Sequence, residues 1–242
     1  MTNAVEEEMF GQLAELVTMQ RAEDIYAERF GGLPEAGTAC ALSLIHRRLY
    51  GGLLSDAGQW RTSEACNAGI VRYVKAAFIP AVMPIVERMP HGTFEEAADK
   101  FLEIMLVHPF SDGNGHAMRL WLDQMLAAST GKRVRWSGIR YSHYLLALRR
   151  SASDASAFRS LLRDNLAGIG EPCRAAFAVR DMPLHYEGFA ECRLSATADN
   201  ARKDTADGYI DMHIRIPSDE MPGLWHDGEI RQVDLYADGC ML

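Results

Sequence analysis

The chain has 242 residues, 48% of them hydrophobic, enough for one sizeable core with a small appendage. Its formal charge of −8 argues against a basic nucleic-acid-binding surface, although a single local anion site is compatible with any net charge. No run of about 18 apolar residues offers a membrane span. The acidic N-terminus lacks the basic flank and apolar run of a signal peptide. Cys40, Cys66, Cys173, Cys192 and Cys240 are scattered, odd in number and never in CxxC spacing. That pattern argues against a disulfide framework or a zinc site and fits a reducing cytoplasm.

Apolar residues at three-to-four spacing predict helices over 5–18 and 37–50, the second with Leu42, Leu44, Ile45 and Leu49 on one face. Gly51-Gly52 then breaks the chain. Residues 69–75, β-branched and aromatic, predict a strand or β-hairpin. A helix interrupted by Pro84 should begin at or beyond Pro80. Thr93 and Glu96 form a capping-box pattern. Phe94, Ala97, Ala98, Phe101, Leu102, Met105 and Leu106 follow helically until His108-Pro109. A glycine-containing loop leads into a helix from about Gly115 to Ser129, closed by Gly131, with Trp121 in the core. Further helices fit 141–151, where His143 reads as a packed residue, and 155–166. Beyond a turn at 168–172, residues 173–190 read as helical with Pro183 as an interruption. The alternating stretch 209–216 reads as a strand in a small β-containing extension.

The chemistry concentrates between His108 and Arg119. Glycines at a helix N-terminus let backbone N–H groups and the helix dipole meet an anion. Asp112 offers a carboxylate for Mg²⁺ bridging phosphate oxygens. Arg119, one turn into the helix, can reach another phosphate. His108, titratable near neutral pH, can deprotonate an attacking hydroxyl. Taken singly, these are an ordinary helix end, a turn and a surface arginine. Together they supply a base, a metal ligand, an anion nest and a cation, as nucleotidyl transfer requires. The remaining histidines, His46 among them, show no metal spacing with one another.

Residues 108–119 read HPFSDGNGHAMR, which resembles the Fic signature HPFx[D/E]GNGRxxR. Gly58-Gln59-Trp60-Arg61-Thr62 is similar to the segment preceding that family's β-hairpin flap, and the likeness extends over about 35–166. The resemblance implies a mainly α Fic-type helical bundle with a short hairpin flap. It implies a domain over 1–190 and a C-terminal extension over 191–242. It also implies a protein adenylyltransferase, with ATP as donor and Mg²⁺ as cofactor. His108 would be the base and Asp112 the metal ligand. Gly113, Asn114, Gly115, His116 and Arg119 would hold the phosphates, with Phe110 as the apolar anchor of the loop. Gly69, Ile70, Val71, Arg72 and Tyr73 of the flap would pair with an extended target segment. A target protein is therefore the expected partner, with automodification and a homo-oligomer both open.

Two positions depart from the family pattern. His116 stands where the family has arginine, which leaves open another nucleotide, another phosphate-containing donor, or a silent nucleotide- or peptide-binding module. A histidine there would also make activity rise in mild acid. Pro183-Leu184-His185-Tyr186-Glu187-Gly188 resembles the inhibitory pattern [S/T]xxxE[G/N], with Pro183 in the Ser/Thr place. The resemblance implies an inhibitory helix over about 173–190, in which Glu187 pairs with Arg119.

Overall fold

The computed structural model describes residues 2–65 and 73–171, together with two short strands at 225–226 and 229–230. It is mainly helical, as the sequence predicts. The described helices are α1 (Thr2–Ala27), α2 (Ala39–Tyr50), α3 (Ile79–Arg88), α4 (Phe94–Val107), α5 (Asn114–Thr130), α6 (Tyr141–Arg150) and α7 (Ser156–Arg163). Strands β1 (Lys132–Val134) and β2 (Leu166–Gly168) pair antiparallel with Arg133 opposite Ala167. Strands β3 (Trp225–His226) and β4 (Glu229–Ile230) form a second antiparallel pair. Gly69, Ile70, Val71 and Arg72 of the expected flap, the inhibitory helix with Glu187, and the stretch 209–216 lie outside the described residues.

Local chemistry accounts for the boundaries. Thr93 accepts from the Glu96 N–H at 3.2 Å, while Glu96 accepts from the Thr93 N–H at 2.9 Å, so the capping box opens α4. Pro80 occupies the first turn of α3, where its missing N–H costs nothing, and Pro84 is carried inside the helix. Lys100, fully buried, closes the end of α3 by donating to the carbonyls of Glu87 (2.8 Å) and Met89 (3.0 Å). On α6, Tyr144, Ala147 and Leu148 face the core, whereas His143 is exposed, against the expectation that it packs. Its turn of helix points away from the apolar stripe that begins one residue later.

Helix α5 is the centre of the bundle. It is buried from Asn114 to Leu126 and packs against α2, α4 and β1. A helix buried on all sides needs a partner for every polar group it carries inward. Trp121 donates to the Thr38 carbonyl at 3.0 Å, and Gln124 to the Pro34 carbonyl at 2.8 Å. Asp123, fully buried, accepts from the Val134 N–H (2.7 Å), Trp136 Nε1 (2.9 Å) and Tyr26 Oη (2.5 Å). One carboxyl thus joins α1, α5 and the β1 region.

Burial pushes Asp123 up to about 6 from 3.8, against the lowering effect of those three donors. Between these values the folded state holds a proton that the unfolded chain has released. Stability therefore falls as pH rises from about 4 to about 6, and it levels off above that. Asp123→Asn keeps the volume but offers one acceptor oxygen to three donors. Urea titrations across this range should show a loss of about 1–3 kcal/mol and a flatter pH dependence in the variant. An unchanged slope would assign the titration to another group.

Candidate active site

The site is the corner where α4 ends and α5 begins. His108 closes α4 in the left-handed conformation, φ 48° and ψ 63°, with its N–H on the Ile104 carbonyl at 3.0 Å. Pro109 forbids continuation of the helix, so the chain turns here. Gly113, at φ 69°, starts α5, and no side chain caps that N-terminus. The first-turn N–H groups and the positive end of the dipole therefore meet at the loop. A Cβ on Gly113 would lie 2.2 Å from Cε2 of Tyr50, so both the backbone angle and the space require glycine.

The loop is braced from several directions. Asn114 accepts from the Phe110 N–H and donates to the Phe110 carbonyl, both at 2.8 Å. This two-way bridge uses its side-chain amide, so what Asn114 and Gly115 can offer an anion is backbone. Phe110 is fully buried and stacks on His46, with ring centroids 3.9 Å apart. The Gly58 N–H donates to His46 Nδ1 at 2.8 Å, and the other ring nitrogen lies 2.8 Å from the Asp112 carbonyl. A backbone N–H can only donate, so Nδ1 accepts and Nε2 carries the proton. Ser111 Oγ adds a bond to Asp56 at 2.6 Å.

The candidate ligands occupy distinct places around this frame. Asp112 is half-buried, and its Oδ1 accepts from the Gly113 N–H at 2.7 Å. Among the described residues no cluster of three or more His, Cys, Asp or Glu is poised for a metal. A half-buried carboxylate beside a helix N-terminus is compatible with Mg²⁺, which takes one or two carboxylates, water and substrate phosphates. His116 is 1% exposed, and its Nδ1 lies 2.6 Å from the Tyr50 hydroxyl. One side of its ring is thus turned to Tyr50 beneath Gly113. Arg119 is 5% exposed, with its guanidinium 5.8 Å from the centre of the Trp136 ring.

The opposite wall comes from Tyr73, at the end of the expected flap, and from Arg61, which precedes it. Tyr73 lies flat on the His108 imidazole, with centroids 3.8 Å apart and planes 16° from parallel. Arg61, 4% exposed, donates through Nε to the His108 carbonyl and through Nη1 to the Ser63 carbonyl, at 2.8 and 2.9 Å. Its Nη2 donates to the Val74 carbonyl. Burial disfavours its charge, with Glu64 and Tyr73 opposing that effect. Backbone carbonyls stand in for most of the lost water.

The structure therefore brings His108, Phe110, Asp112, Gly113, Asn114, Gly115, His116 and Tyr73 into one corner, with Arg119 further along α5 against Trp136. Gly69, Ile70, Val71, Arg72 and Glu187 fall outside the described residues. Sequence reasoning passed over the supports: His46, Tyr50 and the bonding of Arg61. The available signal was the i, i+4, i+8 series Leu42, His46, Tyr50, which puts two polar rings on the inner face of α2.

Comparisons with known proteins agree with this geometry. Residues 38–126 match the family model described as Fic/DOC. The chain is 32% identical over 142 residues, 54% of its own length and 70% of the relative's, to a probable protein adenylyltransferase Fic of Salmonella typhimurium. It is 29% identical over 152 residues, 58% of its length and 72% of the relative's, to a protein of the same description from Escherichia coli. Among solved structures, the BepC protein of Bartonella tribocorum with bound AMPPNP superposes with a TM-score of 0.56 at 21% identity. That match covers 66% of this chain and 88% of the other. An N-terminal Fic domain from Bartonella quintana with bound ADP gives a TM-score of 0.54 at 19% identity, covering 66% and 86%. With the signature loop, its helical setting and these relatives all in agreement, the chain belongs to the Fic/DOC family.

Proposed function

We propose that the chain transfers AMP from ATP to a hydroxyl side chain of a target protein. The observation that carries this reading is the α4–α5 corner, where an imidazole, a half-buried carboxylate and an uncapped helix N-terminus meet on one loop, with a buried arginine further along α5. The names of the Salmonella and E. coli relatives, both probable protein adenylyltransferases, support it. The solved Fic domains with bound AMPPNP and ADP support a nucleotide as the partner.

In this reading His108 accepts the proton of the target hydroxyl as the oxygen attacks the α-phosphorus. A new P–O bond forms to the side chain, the bond between the α-phosphorus and the bridging oxygen breaks, and pyrophosphate leaves. Backbone N–H groups at the start of α5 hold phosphate oxygens, and Arg119 takes the far end of the triphosphate. Asp112 would hold Mg²⁺, which when bound neutralises phosphate charge. His116, turned to Tyr50, supports the floor beneath Gly113 with one side of its ring. Glu187 competes with the triphosphate for Arg119 and keeps the enzyme off.

The test is incubation of wild type, Glu187→Gly and His108→Ala with each of four α-labelled nucleoside triphosphates. Label from ATP should appear on protein with Glu187→Gly, exceed that of wild type, and vanish with His108→Ala. Equal labelling of wild type and Glu187→Gly would sink the inhibitory assignment. His116 in the arginine position favours one second reading, a donor other than ATP, which would show as label from a different triphosphate. Binding of all four with label from none would leave a silent nucleotide-binding module.

A further inference from the structure

The stack of Tyr73 on His108 has no assigned role. The imidazole is 7% exposed, and a parallel aromatic ring at 3.8 Å covers one of its faces. A ring held in this way cannot swing about its side-chain bonds without breaking the stack. Tyr73 is itself fixed from behind. The Val74 N–H donates to the Leu106 carbonyl at 2.9 Å, so the backbone after Tyr73 is tied to the last turn of α4. Arg61 then bonds the Val74 carbonyl and the His108 carbonyl with the same guanidinium. The Arg61 N–H also donates to the Pro109 carbonyl at 2.8 Å. One arginine thus joins the backbone on both sides of the stacked pair. His108 needs such bracing, because its left-handed backbone angles are unfavourable for a residue with a Cβ.

We infer that Tyr73, held in place by Arg61, is a positioning residue for His108, so that the end of the expected flap forms part of the seat of the base. The inference rests on the reading of His108 as the general base. In this arrangement one face of the imidazole is closed and its plane is set, leaving the ring edge to meet the incoming hydroxyl. Target docking along the flap would then act on the same backbone that orients the base. The bonds of Arg61 run to the backbone of Ser63, Val74, His108 and Pro109, on the base side of the loop, so base orientation can be assayed apart from nucleotide binding.

The test uses full-length Tyr73→Leu, Tyr73→Phe and Arg61→Lys, each made in the Glu187→Gly background, with three measurements. These are affinity for a non-hydrolysable ATP analogue, automodification kinetics with labelled ATP, and the NMR signals of the His108 ring, assigned by their loss in His108→Ala. Tyr73→Leu should move the His108 ring protons downfield as the neighbouring ring current disappears. It should lower kcat roughly tenfold to a hundredfold, with KM for ATP and analogue affinity nearly unchanged. Tyr73→Phe, which keeps the ring, should recover most of both effects. Arg61→Lys should shift the same signals, because a single ammonium cannot serve carbonyls on both sides. The idea is overturned if Tyr73→Leu leaves the His108 signals in place, or if analogue affinity falls as far as the rate. Should the Glu187→Gly parent show no transfer at all, the proposed function fails while the NMR arm still decides the stack.

Discussion

Replacing His108 by alanine should lower transfer by roughly a hundredfold to ten-thousandfold, the range for loss of a general base. Affinity for a non-hydrolysable ATP analogue should hardly change, because the proposed anion-binding elements begin at Gly113 and not at His108. The same position carries a second, less obvious result. His108 sits at φ 48° and ψ 63°, where a Cβ costs about 1–2 kcal/mol and glycine pays no such penalty. His108→Gly should therefore be inactive yet more stable than His108→Ala by about 1 kcal/mol, read as the difference in urea midpoints. A residue kept in a strained conformation that a smaller one would relieve is there for its chemistry. If the glycine variant is no more stable than the alanine variant, the strain is absent and that argument fails.

Gly113→Ala should be among the most damaging single changes that add only a methyl group. Its φ of 69° disfavours any Cβ, and the new carbon would stand 2.2 Å from Cε2 and 2.5 Å from Cζ of Tyr50. Strain of about 1–3 kcal/mol combines with overpacking of similar size. Tyr50 is held by its bond to His116, so it cannot withdraw without disturbing the floor of the anion site. Loss of nucleotide affinity should accompany loss of stability. Gly131, at the other end of α5, provides the comparison. Its φ is 67°, but nothing lies within 4 Å of an added Cβ, so Gly131→Ala should show the conformational cost alone. Melting curves of both variants, and of Gly113→Ala combined with Tyr50→Ala, separate the two contributions. If Gly113→Ala costs no more than Gly131→Ala, the clash with Tyr50 is not real.

The α4–loop–α5 unit was legible because its signals are local. Thr93 and Glu96 mark a start, His108-Pro109 marks a stop, and the apolar spacing between them needs no knowledge of the rest of the chain. Strands β1 and β2 were not legible. Each has three residues, too few for an alternating pattern, and they pair across 31 intervening residues that include α6 and α7. Helix α1 runs well beyond the stretch 5–18 that periodicity suggested. The site followed the same division. His108, Phe110, Asp112, Gly113 and Arg119 lie in one motif and could be read together. His46 and Tyr50 act on that motif from more than 60 residues away, across contacts with Asp112 and His116. Nothing in their own neighbourhood marks them except two polar rings on the apolar face of a helix. Arg61 could be recognised by likeness, but not its bonds to backbone on either side of the base.

The bridge between Asn114 and Phe110 bears on how the protein ages. An asparagine followed by glycine is chemically fragile, since the next backbone nitrogen can attack the side-chain amide, form a cyclic imide and expel ammonia. Asn114-Gly115 is such a pair, in the middle of the proposed phosphate site. In the folded chain the amide of Asn114 is fully buried and held by both polar groups of Phe110, and Gly115 lies in the first turn of α5. The side chain cannot rotate onto its attacker while those bonds last. Folding thus shields the most perishable bond of the site, and each excursion to the unfolded state exposes it to irreversible conversion to aspartate or isoaspartate, placing a negative charge in the proposed phosphate site.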